Sequence, residues 1–531
     1  MRCRRILAAL VLGAVFAAPT AEASNGPIVR TADGPVQGLQ KPGLQVFRGL
    51  PYAAPPVGKL RFLPPVAHGR WSTVRPARNR TPACVQTPAY DPTENSNDVM
   101  AEDCLTVNVW TPRADGRKRP VLVYIHGGAF VVGSARNTWF DGAALARRGD
   151  AVIVTVQYRL GVFGYTELSH LDSRFGGGGN AGLLDQVAAL RWVNRNIAKF
   201  GGNQDNVTVF GESAGGESVR ILLGHRPAQG LFHRAIIQSG ILAGSLGPVS
   251  DARDTTRTVM DAVGVQSAQA LQQVDALKLE KLVNDSGAFP YPHQDDYAYA
   301  ESPDEIIRTG RGARVPLLIG TNLDEIRYWT AMCAAPGDDS VNTPALLRNV
   351  FGNREMMQRY FGPQADKVIA TYQRDYPNPE EAVTTFLGDG DFRASSIRLA
   401  EIQGRFAPSY MYLFNYRSPV KGRTGKPYGS SHSMELPFVF GISPADAARV
   451  TGPASLWGDL QDRTMDAWLA FARTGNPSTP TLQWPQYTQF RRTTMLLDSA
   501  SKLVHDPYRD QRLIWSRVPT DLFPYPIPFE V

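Results

Sequence analysis

The sequence predicts an α/β fold in which a mainly parallel sheet is flanked by helices. Short apolar runs that stop at glycines, such as "VLVYIHGG" at residues 121–128, are typical of strands buried on both faces. They alternate with segments whose apolar residues recur at helical spacing, such as residues 182–202. Strands that alternate with helices are joined by crossover connections, which make neighbouring strands parallel. No break in this pattern divides the chain, so we expect a single domain over residues 24–531.

The elements follow one another along the chain. Residues 26–110 are strand-like and rich in turns, and "PYAAPPVGKLRFLPP" is expected to be extended because of its prolines. Buried strands are expected within "RPVLVYIHGGAF", "DAVIVTVQYRLG", "NVTVFG", "RAIIQSG" and "VPLLIGTN". The helix at 182–202 should end at Gly201, a C-terminal cap. Residues 251–312 and 336–407 are predicted to be helical insertions over the carboxyl edge of the sheet, where open α/β sheets bind ligands.

The first 23 residues are predicted to be a signal peptide that is removed from the mature chain. A basic "MRCRR" precedes the apolar "ILAALVLGAVFAA", and "AEA" at residues 21–23 fits a cleavage site. The apolar run is shorter than the ~20 residues of a membrane span, and no later segment could span a membrane. We therefore expect a secreted or periplasmic protein that starts near Ser24 and does not insert stably into a membrane. Arg4 and Arg5 leave the twin-arginine route open.

The charge distribution and the cysteines indicate which ligands and covalent links to expect. The net charge is +7, and the Lys and Arg residues are scattered without a basic run, so we expect no nucleic-acid binding. Cys3 leaves with the signal peptide, and an oxidising compartment favours pairing of Cys84 with Cys104. Cys333 is left over and is interpreted as a buried free thiol rather than a reactive one. No Cys/His cluster has the spacing of a zinc site, so no metal is expected.

Ser213 is the candidate nucleophile. It lies in "VTVFGESAGGESV", where a strand predicted to end at Phe210 is followed by a helix predicted to begin near Ala214. A sharp strand-to-helix turn exposes one side chain at the edge of the sheet, and the residues two before and two after it must be small. Gly211 and Gly215 meet that requirement. The plain alternative, a polar residue in a glycine-rich connection, does not account for this spacing.

A serine hydroxyl needs a base to remove its proton, and an acid must orient that base. A nucleophile on a strand-to-helix turn predicts the chain order serine, acid, histidine. Three histidines follow Ser213 at a sufficient distance. His432 lies in the Gly/Ser turn "GSSHSMELPFVFG" and is the best candidate base, whereas His505, with Asp498 upstream, is a possible alternative. His293 precedes any good acid on a strand end.

The acid candidate is Glu325. In "VPLLIGTNLDEIRYW" an apolar strand is followed by a loop that carries Asp324 and Glu325. A carboxylate just past a parallel strand lies in the right layer to meet a histidine on a loop. The pattern by itself does not decide between the two neighbours, so Asp324 remains an alternative.

The oxyanion that forms during attack needs hydrogen-bond donors. The segment "HGGAF" at residues 126–130 follows the first buried strand, and its glycines let backbone N–H groups approach a substrate. We predict that the N–H groups of Gly128, Ala129 and Ala214 form the oxyanion hole. His126 is interpreted as a structural residue that holds this loop.

Together these segments resemble the type-B carboxylesterase family, which includes the cholinesterases and has the α/β-hydrolase fold. The resemblance covers nearly the whole mature chain. The segments that carry it are "VFRGLPYAAPPVGKLRFLPP", "EDCLTVNVWTP", "FGGNQDNVTVFGESAG", "TNLDEI" and "SHSMELPFVFG".

The resemblance implies Ser213 as nucleophile, Glu325 as acid and His432 as base. It also implies a disulfide between Cys84 and Cys104 that closes a surface loop near the mouth of the active-site gorge. The resemblance further implies that Glu212 and Ser239 lie beside the three catalytic groups.

The chain departs from the family pattern at several points. Ala129 stands where the family often has a third glycine, although an N–H is still present. No Trp lies between the two cysteines, and cholinesterases use one there as a cation–π platform, so choline esters are not expected as substrates. The sequence of residues 289–306 differs from the usual family sequence, and its tyrosines suggest an aromatic wall. Glu217, on the helix after the nucleophile, is unusual in its charge and unexplained.

The expected function is that of an exported serine carboxylesterase that hydrolyses small-molecule esters through an acyl-enzyme, with no metal or organic cofactor. Two other interpretations use the same fold. One is a catalytically silent binding or adhesion module, which would usually lack one of the three groups. The other is a lipase or a polymer-ester hydrolase with the same catalytic residues.

Overall fold

The computed structural model describes residues 26–87, 99–240, 246–333 and 342–518. Its centre is an eleven-stranded sheet in the spatial order β16-β15-β12-β11-β10-β9-β7-β8-β6-β4-β3. The strands are β1 Ile28–Arg30, β2 Pro35–Gln37, β3 Leu39–Lys41, β4 Leu44–Pro51, β5 Arg75–Pro76, β6 Thr106–Thr111, β7 Arg119–Ile125, β8 Val152–Val156, β9 Gly202–Glu212, β10 Arg234–Gln238, β11 Leu317–Asn322, β12 Ser409–Phe414, β13 Ser418–Lys421, β14 Pro427–Gly429, β15 Thr493–Leu497 and β16 Lys502–His505.

Helices connect and cover these strands. They are α1 Ala143–Gly149, α2 Gly161–Tyr165, α3 Ala181–Asn196, α4 Ala214–Gly224, α5 Val249–Val263, α6 Ala268–Gln272, α7 Ala276–Asp285, α8 Pro303–Arg308, α9 Thr343–Asn349, α10 Arg354–Phe361, α11 Ala365–Asp375, α12 Pro379–Gly388, α13 Ala394–Gln403, α14 Leu436–Phe440, α15 Pro444–Thr451, α16 Leu460–Thr474 and α17 Arg509–Trp515. Two π-helical turns, Tyr328–Cys333 and Asp389–Arg393, extend this set.

In the spatial order of the sheet, the seven strands between β15 and β8 inclusive pair in parallel. The strands at both ends of the sheet pair antiparallel. The parallel strands are buried on both faces. Along β7, for example, Val121 and Val123 face one core cluster, whereas Leu122 and Tyr124 face the other. Successive side chains of a strand point to opposite faces, so helices must cover both sides to exclude water from this run.

The α/β prediction is confirmed, and the two predicted insertions are helical. The first contains α5 to α8. Helices α5 to α7 pack in a separate apolar cluster with Phe62 and Phe163, whereas Ile307 of α8 packs in the core cluster on one face of the sheet. The second contains α9 to α13, which pack with Ile326 from the loop after β11 and with Trp515 near the end of the chain. Both insertions therefore reach back to the central sheet region rather than standing apart from it.

Two local predictions need correction. The strand before Ser213 does not end at Phe210 but continues to Glu212, because Glu212 still pairs with Gln238 of β10. The proline-rich segment is not wholly extended, since Gly58–Leu60 form one turn of 3-10 helix closed by a hydrogen bond from the N–H of Arg61. Gly201 is left-handed, with φ 84°, and ends the helical segment as predicted.

The expected disulfide joins Cys84 and Cys104. The signal-peptide prediction and the side chain of Cys333 lie outside the described residues. In the part of the chain that the structure describes, no helix is both long enough and apolar enough to cross a membrane.

Candidate active site

Ser213 sits on a strained turn between β9 and α4. Its backbone has φ 58° and ψ −126°, a region that non-glycine residues rarely adopt. The turn is held by hydrogen bonds on both sides, because the N–H of Ser213 donates to the carbonyl of Gln238 at 2.9 Å and its carbonyl accepts from the N–H of Glu217 at 2.9 Å. Strain of this kind persists only where surrounding contacts fix it, and it is typical of functional positions.

The two glycines around Ser213 are required by close backbone contacts. A β-carbon added to Gly211 would lie 2.3 Å from the carbonyl oxygen of Gly215. A β-carbon added to Gly215 would lie 2.0 Å from the carbonyl oxygen of Ile125. No side chain fits at such distances, so the turn can approach β7 only with glycine at both positions.

Glu325 and His432 form a hydrogen-bonded pair next to this turn. The imidazole Nδ1 lies 2.7 Å from Oε2 of Glu325, and both side chains are buried. The other carboxylate oxygen, Oε1, accepts hydrogen bonds from the Ser239 hydroxyl at 2.7 Å and from the N–H of Asn322 at 2.7 Å. These two donors fix the carboxylate, so the orientation of the imidazole is set from the end of β11.

Glu212, the residue before Ser213, contacts the imidazole of His432. Its Oε1 lies 3.1 Å from Nε2 of His432 and accepts a hydrogen bond from the Ser433 hydroxyl at 2.6 Å. Despite this short distance, Nε2 has no hydrogen-bond partner among the described residues. Among the described residues the Ser213 hydroxyl has none either. The imidazole of His432 therefore approaches the residue that precedes Ser213, and no hydrogen bond joins it to the serine hydroxyl.

Burial and neighbouring charges have opposite effects on the pKa values of Glu212 and His432. Burial raises the pKa of Glu212, whereas the neighbouring imidazole of His432 acts against this rise and favours the carboxylate. Burial alone would lower the pKa of His432, but the carboxylates of Glu212 and Glu325 outweigh it and raise that pKa. An imidazole in this environment holds a proton well once it has accepted one.

Aromatic side chains that the sequence pattern did not predict enclose the imidazole of His432. The ring of Trp329 is stacked on His432 at 5.3 Å, and the rings of Phe392 and Tyr328 lie at 5.0 and 5.7 Å. Trp329 follows Glu325 by four residues, a spacing that places both on one side of a helical turn and could have indicated it. Phe392 comes from the distant insertion and carries no comparable local signal.

Glu435, which was also not predicted, lies one turn after His432 and is fully buried. It accepts hydrogen bonds from Gln238 at 2.9 Å and from Asn322 at 2.6 Å. Asn322 in turn donates to the carbonyl of Ser431 at 2.7 Å. This network ties the loop that carries His432 to the ends of β10 and β11, where Ser239 and Glu325 follow.

The predicted oxyanion loop lies against the same turn. A β-carbon on Gly127 would lie 2.8 Å from Cβ of Ser213, which shows how closely the loop approaches the serine. Among the described residues none accepts a hydrogen bond from the N–H groups of Gly128, Ala129 or Ala214. These three donors are therefore unused by the described residues.

His126 holds the loop rather than facing the serine. Its ring is stacked on Tyr158 at 4.4 Å, and its Nδ1 donates to the carbonyl of Gly127 at 2.8 Å. Burial lowers the pKa of His126 to about 4, so it is neutral at neutral pH. This agrees with the structural role expected from the sequence.

The alternative residues lie elsewhere. Asp324 accepts hydrogen bonds from the N–H of Ser430 and from Arg417, each at 3.0 Å, and does not contact His432. His505 lies on the edge strand β16, where Nδ1 is 3.1 Å from the hydroxyl of Thr493. Asp498, its possible partner, accepts instead from Asn415 at 2.7 Å.

His293 is also engaged elsewhere, with Nε2 at 3.5 Å from Glu167 and Nδ1 at 3.1 Å from the carbonyl of Tyr291. Within the described ranges, no cluster of His, Cys, Asp and Glu side chains is arranged to hold a metal ion.

A mainly parallel sheet with a serine on a sharp turn after one of its strands, and an acid and a histidine at the ends of later strands, defines the α/β-hydrolase fold. Solved structures agree with this class. A carboxylesterase of Geobacillus stearothermophilus superposes with a TM-score of 0.81 at 35% identity, over 92% of this chain and 99% of that one.

Comparison with protein families gives the narrower assignment. The carboxylesterase family model matches residues 25–515. Para-nitrobenzyl esterase of Bacillus subtilis (strain 168) is 35% identical over 502 residues, which cover 91% of this chain and 97% of that protein. Acetylcholinesterase of Bungarus fasciatus is 33% identical over 498 residues, 87% of this chain and 81% of that protein. The chain belongs to the carboxylesterase family and is a carboxylic ester hydrolase.

Proposed function

We propose that this esterase works through an acyl-enzyme formed on Ser213, with His432 as the base and Glu325 as the acid that orients it. The observation that carries the proposal is the 2.7 Å contact between Glu325 and His432 Nδ1 beside the strained turn of Ser213. Because Nδ1 carries the proton that bonds Glu325, Nε2 is the basic nitrogen. Nε2 is free of other hydrogen bonds and faces the residue that precedes Ser213.

The reaction then proceeds in two halves. Ser213 Oγ attacks the ester carbonyl as Nε2 of His432 takes its proton, and the resulting imidazolium gives that proton to the departing alkoxide, which leaves as the alcohol. In the second half, water attacks the acyl-enzyme, His432 takes the proton from water and returns it to Oγ, and the carboxylic acid leaves. Aromatic side chains around His432 exclude bulk water from the imidazole.

The negative charge on the carbonyl oxygen is proposed to be held by the N–H groups of Gly128, Ala129 and Ala214. All three are unused by the described residues and lie around the serine turn. Losing one donor of an oxyanion hole typically costs about 3 kcal/mol of transition-state stabilisation. Glu212 and Ser239 support this arrangement by contacting His432 and Glu325.

A fluorophosphonate should label the native protein once per chain on the peptide that contains Ser213. The hydroxyl displaces fluoride from phosphorus, and the tetrahedral adduct then occupies the oxyanion hole, so hydrolysis of 4-nitrophenyl butyrate should fall in proportion to the label. Intact-mass measurement and peptide mapping give the stoichiometry and the position.

The same protein unfolded in urea is the control and should not react, because an isolated serine hydroxyl is a poor nucleophile. Hydrolysis that continues without label, or label on another serine, would contradict the assignment. A silent binding module would show neither label nor hydrolysis. A lipase or polymer esterase would be labelled in the same way but would prefer emulsified long-chain or polymeric esters.

We further propose that residues 1–23 direct export and are then removed. The basic start, the apolar run and the "AEA" site support this proposal. Full-length protein expressed in a bacterial host should be recovered from the periplasm or medium with Ser24 as its first residue by N-terminal sequencing. Recovery only from the cytosol, with the first 23 residues intact, would contradict it, and a variant lacking those residues is the control for passive leakage.

A further inference from the structure

The backbone of the oxyanion loop is strained at two successive non-glycine residues. Ala129 has φ 51° and Phe130 has φ 62°, directly after Gly128 at φ 107°. L-amino acids rarely adopt the left-handed region, because the β-carbon comes too close to the following carbonyl oxygen. Two such residues in a row keep this conformation only if their surroundings fix them.

Phe130 is the anchor of the loop. Its side chain is fully buried, and its ring packs edge-on against Tyr165 at 5.4 Å and against Tyr291 at 5.1 Å. Its carbonyl accepts a hydrogen bond from the N–H of Gly161 at 2.8 Å. A shift of either tyrosine ring would therefore move Phe130 and, with it, the N–H of Ala129 one residue before.

Tyr291 is held by Glu217, the residue whose charge the sequence left unexplained. The hydroxyl of Tyr291 donates to Oε2 of Glu217 at 2.7 Å. Glu217 is 2% exposed and lies on α4, and its own N–H bonds the carbonyl of Ser213. Arg220 lies 3.7 Å from Glu217 and also pairs with Asp304, which provides a counter-charge for the buried carboxyl.

These contacts form a short route from the nucleophile's helix to the oxyanion loop. It runs from Glu217 on α4 to the hydroxyl of Tyr291, and from the ring of Tyr291 to Phe130. Tyr291 belongs to the segment at residues 289–306, which departs from the family's sequence pattern. The departing segment and the unusual glutamate therefore meet in one hydrogen bond.

We infer that Glu217 and Tyr291 are positioning residues, which keep the N–H groups of Gly128 and Ala129 aimed at the substrate oxygen. The inference rests on the proposed oxyanion hole. Neither residue touches the reacting atoms, and both act through Phe130. Such a role predicts a loss in the rate of the chemical step rather than in ground-state binding, because the oxyanion exists only in the transition state and the tetrahedral intermediate.

The test compares Tyr291→Phe with Tyr299→Phe. Both substitutions remove one buried hydroxyl from the same segment and keep the ring, but the hydroxyl of Tyr299 has no hydrogen-bond partner among the described residues. For 4-nitrophenyl butyrate, Tyr291→Phe should lower kcat by about 10-fold and leave KM within about 2-fold, as expected for a misaligned oxyanion hole. Tyr299→Phe should leave both constants near those of the unmodified enzyme.

Inhibition by an aryl trifluoromethyl ketone gives a second readout. Addition of Ser213 to its carbonyl forms an oxyanion, so Ki should rise in Tyr291→Phe by the same factor as kcat falls. Glu217→Gln keeps an acceptor for the Tyr291 hydroxyl and should recover most of the activity, whereas Glu217→Leu should match Tyr291→Phe or fall below it.

Equal effects of the two tyrosine substitutions, or a fall in kcat with an unchanged Ki, would overturn the positioning role. Neither result would affect the assignment of Ser213, because full activity of Ser213→Ala is the outcome that would overturn the proposed function itself. Thermal unfolding of each variant separates a general loss of stability from a loss of alignment. A loss of stability lowers the melting temperature, whereas a loss of alignment lowers kcat at a temperature where the variant is still folded.

Discussion

Replacing Ser213 with alanine is expected to lower kcat for 4-nitrophenyl butyrate by about 10⁵-fold or more, as loss of the nucleophile does in other serine hydrolases. Alanine removes the only atom that can form the acyl-enzyme in the proposed mechanism, while the oxyanion donors and the binding site remain. The residual rate should therefore lie above that of the uncatalysed reaction in water. Stopped-flow and steady-state measurement of nitrophenolate release check this result.

Ser218→Ala is the matched control, because it removes a serine hydroxyl one turn further along the same helix. That hydroxyl donates to the carbonyl of Ala214 at 2.8 Å and accepts from Gln186 at 3.0 Å, away from the reacting atoms. We expect a small loss of stability, about 1 kcal/mol, with kcat within a few-fold. A Ser213→Ala variant with a kcat within 10-fold of the unmodified enzyme would reject the nucleophile assignment.

Glu325→Gln is expected to lower kcat by about 10³- to 10⁴-fold with little change in KM. The amide has nearly the same size, but it carries no charge and can present N–H to His432 Nδ1, which stabilises the wrong tautomer. The charge of Glu325 also helps to raise the pKa of His432, so its loss should move the acidic limb of kcat/KM to lower pH. A pH profile of the residual activity measures that shift.

Asp324→Asn is the control for Glu325→Gln, since the two carboxylates are neighbours after the same strand. Asp324 bonds Ser430 and Arg417 and does not contact the imidazole. We expect its substitution to change stability slightly and kcat by less than about 5-fold, in line with a partly exposed ion pair. Equal losses from the two substitutions would mean that the loop conformation, and not the charge of Glu325, supports the base.

Local sequence was sufficient to predict the turn that carries Ser213. The strand, the glycines at positions 211 and 215 and the helix after Ser213 lie within about a dozen residues, and the steric requirement at each position is local. The same holds for the alternation of buried strands and helices. The end of the strand was misplaced by two residues, because pairing with β10 extends it to Glu212, and that pairing depends on a strand more than 20 residues away.

The choice between Asp324 and Glu325 could not be made from the pattern. Both follow β11, and both are acidic. Only the packed structure turns one of them toward His432, where Ser239 and the N–H of Asn322 fix the other carboxylate oxygen. The decision depends on three segments that are far apart in the chain, so no local rule could have reached it.

The sequence alone thus determined the family and the alternation of buried strands and helices, and it supplied Ser213, His432 and Glu325 as candidates for nucleophile, base and acid, because these follow from spacing and residue type. The tertiary structure alone decided the aromatic wall around His432, the buried network at Glu435 and the contact between Glu217 and Tyr291. Each of these joins side chains from separate elements. Such pairs form when both faces of the sheet are covered and the insertions close over its edge, and that packing is a property of the whole chain.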